Sequence, residues 1–530
     1  MRVRGCLTLP RARAHASLPG GIPGGADMDR RAFLWTGATA GAAGAISVGA
    51  QVSAAAPRAR GSGAPFRLSG AHDHRYDAAL RQIGLYAAEH MKVYQLPGMT
   101  LALVGPGGLD AQITLGFSDL EARAPVRPEQ LFNIGSISKS FTATMIHQLA
   151  AEGKLALDDQ IAQHLPGLPL PSGAAITLNH LLSHSSGLPE DPPFFPETPD
   201  GKLWLGFTPG TAWSYSNIGF ALLGRVVEVK DGRKLADSLK VRIFAPLGMN
   251  QAEGALLSAD RSRFAIGYGP GDTDAIYFPG IPLSVAPFET FTAGSGCVGA
   301  NSPDMARWMR WLIGAGRGDG GPLMPDAQAK LFARPQIKAP GWAFKGSSYG
   351  SGLAYVPLEG HVVMQHTGGM LAFHSSIHVD PAAGCGAFAS VNSGAGEYRP
   401  RDVTAYACAL IRAAASPEAG LDPKAATVAW KAPPKPVLHT DGAPPEHVRL
   451  AGRYADGELA YDTVILIAVK GGLAMPDGTL LEKTDEGYWR IKTASDQDSP
   501  QMERFWFTND LAGRPQNLIA SGRRLERIEP

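Results

Sequence analysis

The chain has 530 residues and a formal net charge of +1. That length accommodates two or three domains with a substantial core, and the near-neutral charge, with no long Lys/Arg run, argues against a nucleic-acid partner. The four cysteines, Cys6, Cys297, Cys385 and Cys408, lack C-x-x-C spacing, so neither a disulfide framework nor a zinc site is implied.

Near the start, Asp29-Arg30-Arg31-Ala32-Phe33-Leu34 precedes a weakly apolar Ala/Gly stretch running to about Ala56. Paired arginines before a mild apolar run resemble a twin-arginine (Tat) export signal. Residues 1–56 are therefore expected to be an N-terminal extension and Tat-like signal peptide. The protein would make transient contact with the export machinery and work in the periplasm or another extracytoplasmic space. The run is poor in Leu and Ile, which argues against a permanent membrane span.

Beyond a Gly/Ala/Pro linker, Leu80, Ile83, Ala87 and Met91 recur at helical spacing and predict a helix over 75–94. His72-Asp73-His74 just before it lacks a third ligand at helical spacing and reads as a polar helix entry rather than a metal site. Met99–Val104 and Ala111–Phe117 flank Gly105-Pro106-Gly107-Gly108, a hairpin signal. Next comes Phe132-Asn133-Ile134-Gly135-Ser136-Ile137-Ser138-Lys139-Ser140-Phe141, and Phe141, Met145 and Leu149 continue it as a helical apolar stripe to about Gly153. Ser136 then falls in the first turn and Lys139 one turn later on the same face. An amine so placed can take a proton from the hydroxyl, and first-turn N–H groups favour developing negative charge. On its own, a serine opening a helix is most often only an N-cap. A Pro-rich loop and a short helix at Thr177–Ser183 follow.

Read together, Gly135–Ala143, Glu152–Asp159 and Leu181-Leu182-Ser183-His184-Ser185-Ser186-Gly187-Leu188-Pro189 resemble the serine β-lactamase and penicillin-binding-protein superfamily. The branch is that of class C β-lactamases, D,D-peptidases and related esterases. Three later blocks keep the same order: Phe207–Asn217 with Tyr215-x-Asn217, Asn301–Trp308, and His366-Thr367-Gly368-Gly369. In the second of these, Ser302 is the expected N-cap and Pro303 the first helical residue. The resemblance spans roughly residues 75–415. It implies a mixed α/β (α+β) fold, an antiparallel sheet flanked by helices with a helical subdomain inserted after the Ser136 block.

The resemblance also implies roles. Ser136 is the expected nucleophile, and Lys139 and Tyr215 are both candidate bases that would titrate as a unit. Asn217 would bind the substrate amide and orient the lysine. The Ser136 and Gly369 N–H groups would form the oxyanion hole, and the strand Val362–Thr367, which is expected to end in Gly368-Gly369, would offer its edge to the substrate there. His366 stands where most class C β-lactamases carry Lys, and a neutral imidazole holds a substrate carboxylate less firmly than an ammonium does. The expected substrates are thus small molecules or peptides: D-amino-acid or cell-wall peptides first, small esters second, β-lactams third. Contact with the cell wall follows from that order. No metal or cofactor is implied. The alternative is a penicillin-recognising sensor or cell-wall binding protein that acylates without turnover.

Other signals carry less. Gly346-Ser347-Ser348-Tyr349-Gly350 matches the G-x-S-x-G elbow, but a strand-like segment follows where a helix is required. His184 reads as a structural hydrogen-bonder, His374 as a strand residue, and 266–296 as a pocket-lining loop. Cys385–Val391 reads as a strand and Arg401–Ala414 as a helix closing a hydrolase domain over 71–415. Residues 416–447 form a Pro/Ala-rich linker. From Leu450 onward short apolar alternations at Tyr461–Val469, Gly472–Met475, Tyr488–Ile491, Arg504–Thr508 and Gln516–Ala520 predict a small all-β domain over 448–530, a sandwich or a barrel.

Overall fold

The expected hairpin organises the main sheet. Strands β1 (Arg67–Ala71), β2 (Gly98–Gly105) and β3 (Leu109–Asp119) lie side by side, with Leu101 opposite Ile113 and Leu103 opposite Ala111. The turn between β2 and β3 puts Gly107 and Gly108 at φ +69° and +79°, which a Cβ would oppose. On β2, Leu101 and Leu103 face one core while Ala102 and Val104 face another. A strand buried on both faces reads as a continuous apolar run, as Met99–Val104 does.

Further along the chain come β4 (Ile337–Lys338), β5 (Ser348–Gly350), β6 (Leu353–Leu358), β7 (His361–Met370), β8 (Phe373–Asp380) and β9 (Cys385–Val391). The sheet runs in the order β1-β3-β2-β9-β8-β7-β6-β5-β4, all neighbours antiparallel, with the short pair Ala124–Pro125 on β3. Helices α1 (Asp77–Val93) and α5 (Arg401–Ala415) cover one face. Helices α2 (Ser138–Ala151) and α4 (Ser302–Gly316) cover the other. Helix α3 (Asn217–Asp231) packs on α2 within the helical subdomain between α2 and β4. The computed structural model describes residues 64–270, 278–342, 344–394, 398–416, 422–431, 437–456, 463–492 and 502–528. Arg30-Arg31 and the export signal expected around them lie outside the described residues.

Three local expectations change. Asn301, not Ser302, caps α4: its side chain accepts the Asp304 N–H at 2.9 Å, while Ser302 Oγ donates to the Pro128 carbonyl at 3.2 Å. Strand β7 runs through Gly368 and Gly369 instead of ending at them, because Gly368 pairs with Ser375 and Gly369 with His374. Ser136 sits in a 3₁₀ turn (Gly135–Ile137) that leads into α2 rather than in the α-helix itself. The entry to α1 is polar as read, with Asp73 accepting the Arg75 N–H at 2.9 Å and His72 within 3.0 Å of Asp77.

Helix α2 is buried from Ser138 to Leu149. Phe141 stacks on Trp308 of α4 with ring centroids 3.8 Å apart, which locks the base of the Ser136 turn to the sheet-covering layer.

The C-terminal region is a closed eight-stranded barrel, β10 (Gly452–Ala455), β11 (Thr463–Val469), β12 (Gly472–Ala474), β13 (Leu480–Lys483), β14 (Trp489–Ile491), β15 (Arg504–Leu511), β16 (Arg514–Ala520) and β17 (Arg523–Ile528). Pairing of β10 with β17 closes it, and Tyr454, Leu473, Trp489 and Leu518 fill it. Helix α6 (Pro445–Leu450) begins inside the stretch read as linker and packs on the barrel wall. Among the described residues no helix is long and apolar enough to cross a membrane.

Candidate active site

The site is built where the Ser136 turn meets β7. Gly135 has φ +53°, and a Cβ there would come within 2.7 Å of the Gly369 nitrogen. A Cβ on Gly368 would lie 1.9 Å from the Ile134 carbonyl oxygen, which already accepts the Ser375 hydroxyl at 2.7 Å. Glycine at both places lets the turn and the strand touch backbone to backbone, and this brings Ser136 beside Gly369. The pairing of β6 with β7 covers only His361–Gln365, so β6 leaves the edge of β7 open from His366 onward.

Lys139, one turn along, is fully buried. Its ammonium nitrogen lies 3.0 Å from Ser136 Oγ, 2.7 Å from Asn217 Oδ1 and 2.9 Å from the Ser295 carbonyl. Burial pushes its pKa down to about 7, against the opposing pull of the Glu190 and Asp191 carboxylates. Near neutral pH, therefore, a large share of the molecules hold a free amine beside the serine hydroxyl. The same nitrogen sits 4.8 Å from the centroid of the Tyr215 ring. Tyr215 shares a hydrogen bond with Ser136, and burial holds its phenol well above the ordinary range. A neutral phenol can hand a proton to a leaving group, but it gives up its own only with difficulty.

Asn217 is positioned by the start of α3. Ser216 caps that helix through a bond from the Gly219 N–H at 3.2 Å, and its own N–H donates to His184 Nδ1 at 3.1 Å. The buried His184 ring packs under Tyr215 at 4.3 Å and holds the Tyr215–Asn217 segment from below. It is the structural hydrogen-bonder its turn suggests.

His366 is turned inward. Its Nδ1–H donates to the Thr367 carbonyl at 2.6 Å and its Nε2 accepts the Tyr349 hydroxyl at 2.9 Å. Burial, with Lys139 nearby, lowers its pKa to about 3, so the ring is neutral near pH 7. Trp342 and Tyr215 pack against it at 5.1 and 6.1 Å. The G-x-S-x-G stretch supplies Ser348 and Tyr349 to strand β5, and no helix follows. His374 is likewise buried and neutral, its pKa held at about 3 by burial and the Arg399 charge.

All eight residues singled out from the sequence thus converge: Ser136, Lys139, Tyr215 and Asn217 within hydrogen-bond contact, and His366, Thr367, Gly368 and Gly369 along the adjoining strand. Sequence reasoning missed Arg399, whose guanidinium lies where a Cβ on Gly369 would come within 2.5 Å of it, and the Glu190–Asp191 pair. These residues stand in irregular segments with no periodicity or motif to mark them. The segment read as pocket-lining contributes Ile266, Gly267 and Ala286–Phe288 to a cavity of about 530 Å³ with Asp119, Arg261 and Phe373, and Ser136 does not line it.

A family model described as Beta-lactamase matches residues 86–411. The chain is 29% identical over 322 residues to penicillin-binding protein 4 of Amycolatopsis lactamdurans, which covers 57% of this chain and 82% of that protein. It is 27% identical over 300 residues to a D-aminopeptidase of Gluconobacter oxydans, and the match covers 53% of each. The octameric penicillin-binding-protein homologue from Pyrococcus abyssi superposes with a TM-score of 0.56 at 24% identity, covering 84% of this chain and 99% of that one. That last likeness concerns the fold alone. With a family match over more than half of its length, the chain belongs to the beta-lactamase family and is a serine hydrolase of its penicillin-binding-protein kin.

Proposed function

We propose that the protein hydrolyses amide or ester bonds through an acyl-enzyme on Ser136. The observation that carries this reading is the Lys139 amine, buried, depressed to about 7 and 3.0 Å from the serine oxygen. The free amine takes the Ser136 proton as Oγ attacks the carbonyl carbon. The oxyanion forms against the Ser136 and Gly369 N–H groups, and losing one such donor typically costs about 10²–10³ in rate. Collapse expels the amine or alcohol, which takes its proton from Lys139 or Tyr215, and water then releases the acyl group by the same route in reverse. Asn217 holds Lys139 and faces the substrate amide, and the open edge of β7 pairs with the substrate backbone.

Peptides or amides containing D-amino acids, including cell-wall peptides, come first among the substrates, and small esters second. The relatives named D-aminopeptidase and penicillin-binding protein support that order. A neutral, inward-turned His366 places β-lactams third, because it offers no ammonium to their carboxylate. Turnover of D-amino-acid amides, p-nitrophenyl esters and nitrocefin by purified protein ranks the classes directly. Ser136→Ala should lose both turnover and labelling by a serine-directed fluorophosphonate, and persistent labelling would overturn the assignment. Arg30-Arg31 before the Ala/Gly run supports export in the folded state; a chain carrying Arg30→Lys and Arg31→Lys that still leaves the cytoplasm would sink that part.

A further inference from the structure

Helix α3 begins at Asn217, and its first-turn N–H groups need partners from outside the helix. Two of them find the same one: the Asn217 and Ile218 N–H groups both donate to the Glu190 carbonyl, at 2.6 and 3.1 Å. The position of that carbonyl therefore sets where Asn217 stands, and Asn217 Oδ1 holds Lys139 at 2.7 Å. Glu190 lies between Ser183 and Ser216, a segment with no helix or strand of its own. Such a segment needs an external frame.

The C-terminal barrel supplies part of that frame, beside bonds within the hydrolase domain such as Ser216 Oγ to the Pro189 carbonyl at 2.9 Å. Trp204 Nε1 donates to the Met502 carbonyl at 2.8 Å, and the Glu197 N–H donates to the Gly522 carbonyl at 2.8 Å. Arg524 pairs with Glu197. Met502 packs on Gly206, and Gly522 on Pro196, each too closely for a Cβ. One barrel residue reaches further: Glu503 Oε1 accepts the Glu190 N–H at 3.2 Å. The peptides flanking Glu190 are thus held on one side by the barrel and cap α3 on the other. A continuous hydrogen-bonded path runs from Glu503 through Glu190, Asn217 and Lys139 to Ser136 Oγ.

We propose that Glu503 of the barrel is a positioning residue for the hydrolase site, fixing Asn217, and through it Lys139, by holding the Glu190 peptide. The barrel is then part of the catalytic framework and not an appendage. The remaining contacts keep the barrel docked when this one carboxylate is removed, so docking and positioning separate experimentally. Burial and the neighbouring Asp191 charge raise the Glu503 pKa, but the contact needs only an acceptor oxygen, which the neutral acid and an amide also supply.

The proposal rests on the reading of Ser136 as the acylated residue, and the test separates the two. The second-order rate of Ser136 labelling by a fluorophosphonate, and kcat and KM on the best amide or ester substrate, are measured on the full chain. Glu503→Ala should slow labelling and lower kcat about tenfold with KM nearly unchanged, since misplacing a reacting group by a fraction of an ångström costs rate. Glu503→Gln, which keeps the acceptor, should recover most of the loss. Should Glu503→Ala fail to fold, Glu503→Asp shortens the reach by one methylene and should lose rate with an unaltered near-UV spectrum. Labelling of Glu503→Ala, or of a substituting Glu503→Asp, at the wild-type rate would overturn the proposal, and so would a Gln variant as slow as the Ala. A wild-type protein that leaves Ser136 unlabelled overturns the reading of Ser136 and this proposal with it.

Discussion

Two buried nitrogen bases face each other across the site, and burial acts on both in the same direction with opposite results. Around Lys139, desolvation brings an amine down to about 7, where it can exchange a proton during a reaction. Around His366, desolvation takes an imidazole down to about 3, where it does not take up a second proton near neutral pH. The partners explain the rest. Lys139 has three acceptors at 2.7–3.0 Å, one for each hydrogen of an ammonium, so the charged form remains affordable. His366 has the Thr367 carbonyl as acceptor for its one N–H and the Tyr349 hydroxyl as donor to its other nitrogen, which suits the neutral ring. One wall of the site is equipped for proton transfer, and the other for holding a strand edge still.

The hardest way to break that contrast is to remove the working base. Lys139→Met fills similar space but leaves the Asn217 and Ser295 oxygens without their donor, and acylation of Ser136 should fall by about 10³ or more. A fluorophosphonate labelling time course measures it. A loss below tenfold would show that Tyr215, or water, removes the serine proton. Gly368→Ala attacks the other wall. Its Cβ would meet the Ile134 carbonyl at 1.9 Å, so the strand must move away from the Ser136 turn. A drop of about 10² in kcat with retained far-UV dichroism is expected.

These effects were only partly legible in the sequence. The Ser136–Lys139 spacing, the Phe141 stripe and the hairpin glycines are local, and local pattern sufficed for them. The convergence of Tyr215, Asn217 and His366–Gly369 on Ser136 came from block order, since nothing local says that residues 80 and 230 positions away meet a given turn. The cap of α4 was misread because Asn301 and Ser302 are equally good caps in isolation, and only the Asp304 N–H and the Pro128 carbonyl choose between them. Strand β7 continues past Gly368 because β8 pairs with it, a non-local fact. Closure of the barrel by β10 and β17, and the reach of Glu503 to Glu190, join residues more than seventy and three hundred positions apart.

Smaller in size but sharper in sign is the effect of pH. Rates of Ser136 acylation should rise with pH through about 7 as Lys139 loses its proton, then level off. Stability should follow the same group. The folded pKa of Lys139 lies below its ordinary value of 10.5, so between those values the unfolded chain binds a proton that the folded chain does not. Stability contributed by this group therefore increases as pH rises from 7 toward 10. Urea unfolding at pH 7 and pH 9 checks it, with Lys139→Met as the reference: wild type should gain on the variant at the higher pH. An equal difference between wild type and variant at the two pH values would mean that the amine stays charged in the fold.

The least effect is expected from the residue that differs most from its neighbour across the site. His366→Asn keeps a donor and an acceptor on a shorter side chain, so part of the Tyr349 and Thr367 contact survives, and kcat should fall less than about tenfold. What decides the comparison is the acidic limb of the pH–rate profile. If His366 only holds the strand, a single limb near 7 persists in His366→Asn, because it belongs to Lys139. If the imidazole shared the proton, the limb would flatten and the plateau rate would fall. One further displacement has a defined sign. Removing a neutral ring that Tyr215 and Trp342 pack against admits water nearer to Lys139, which lessens the desolvation that depresses its pKa. A limb shifted upward by a few tenths of a unit, with the plateau rate nearly preserved, would therefore show His366 acting as insulation for the base rather than as a second one.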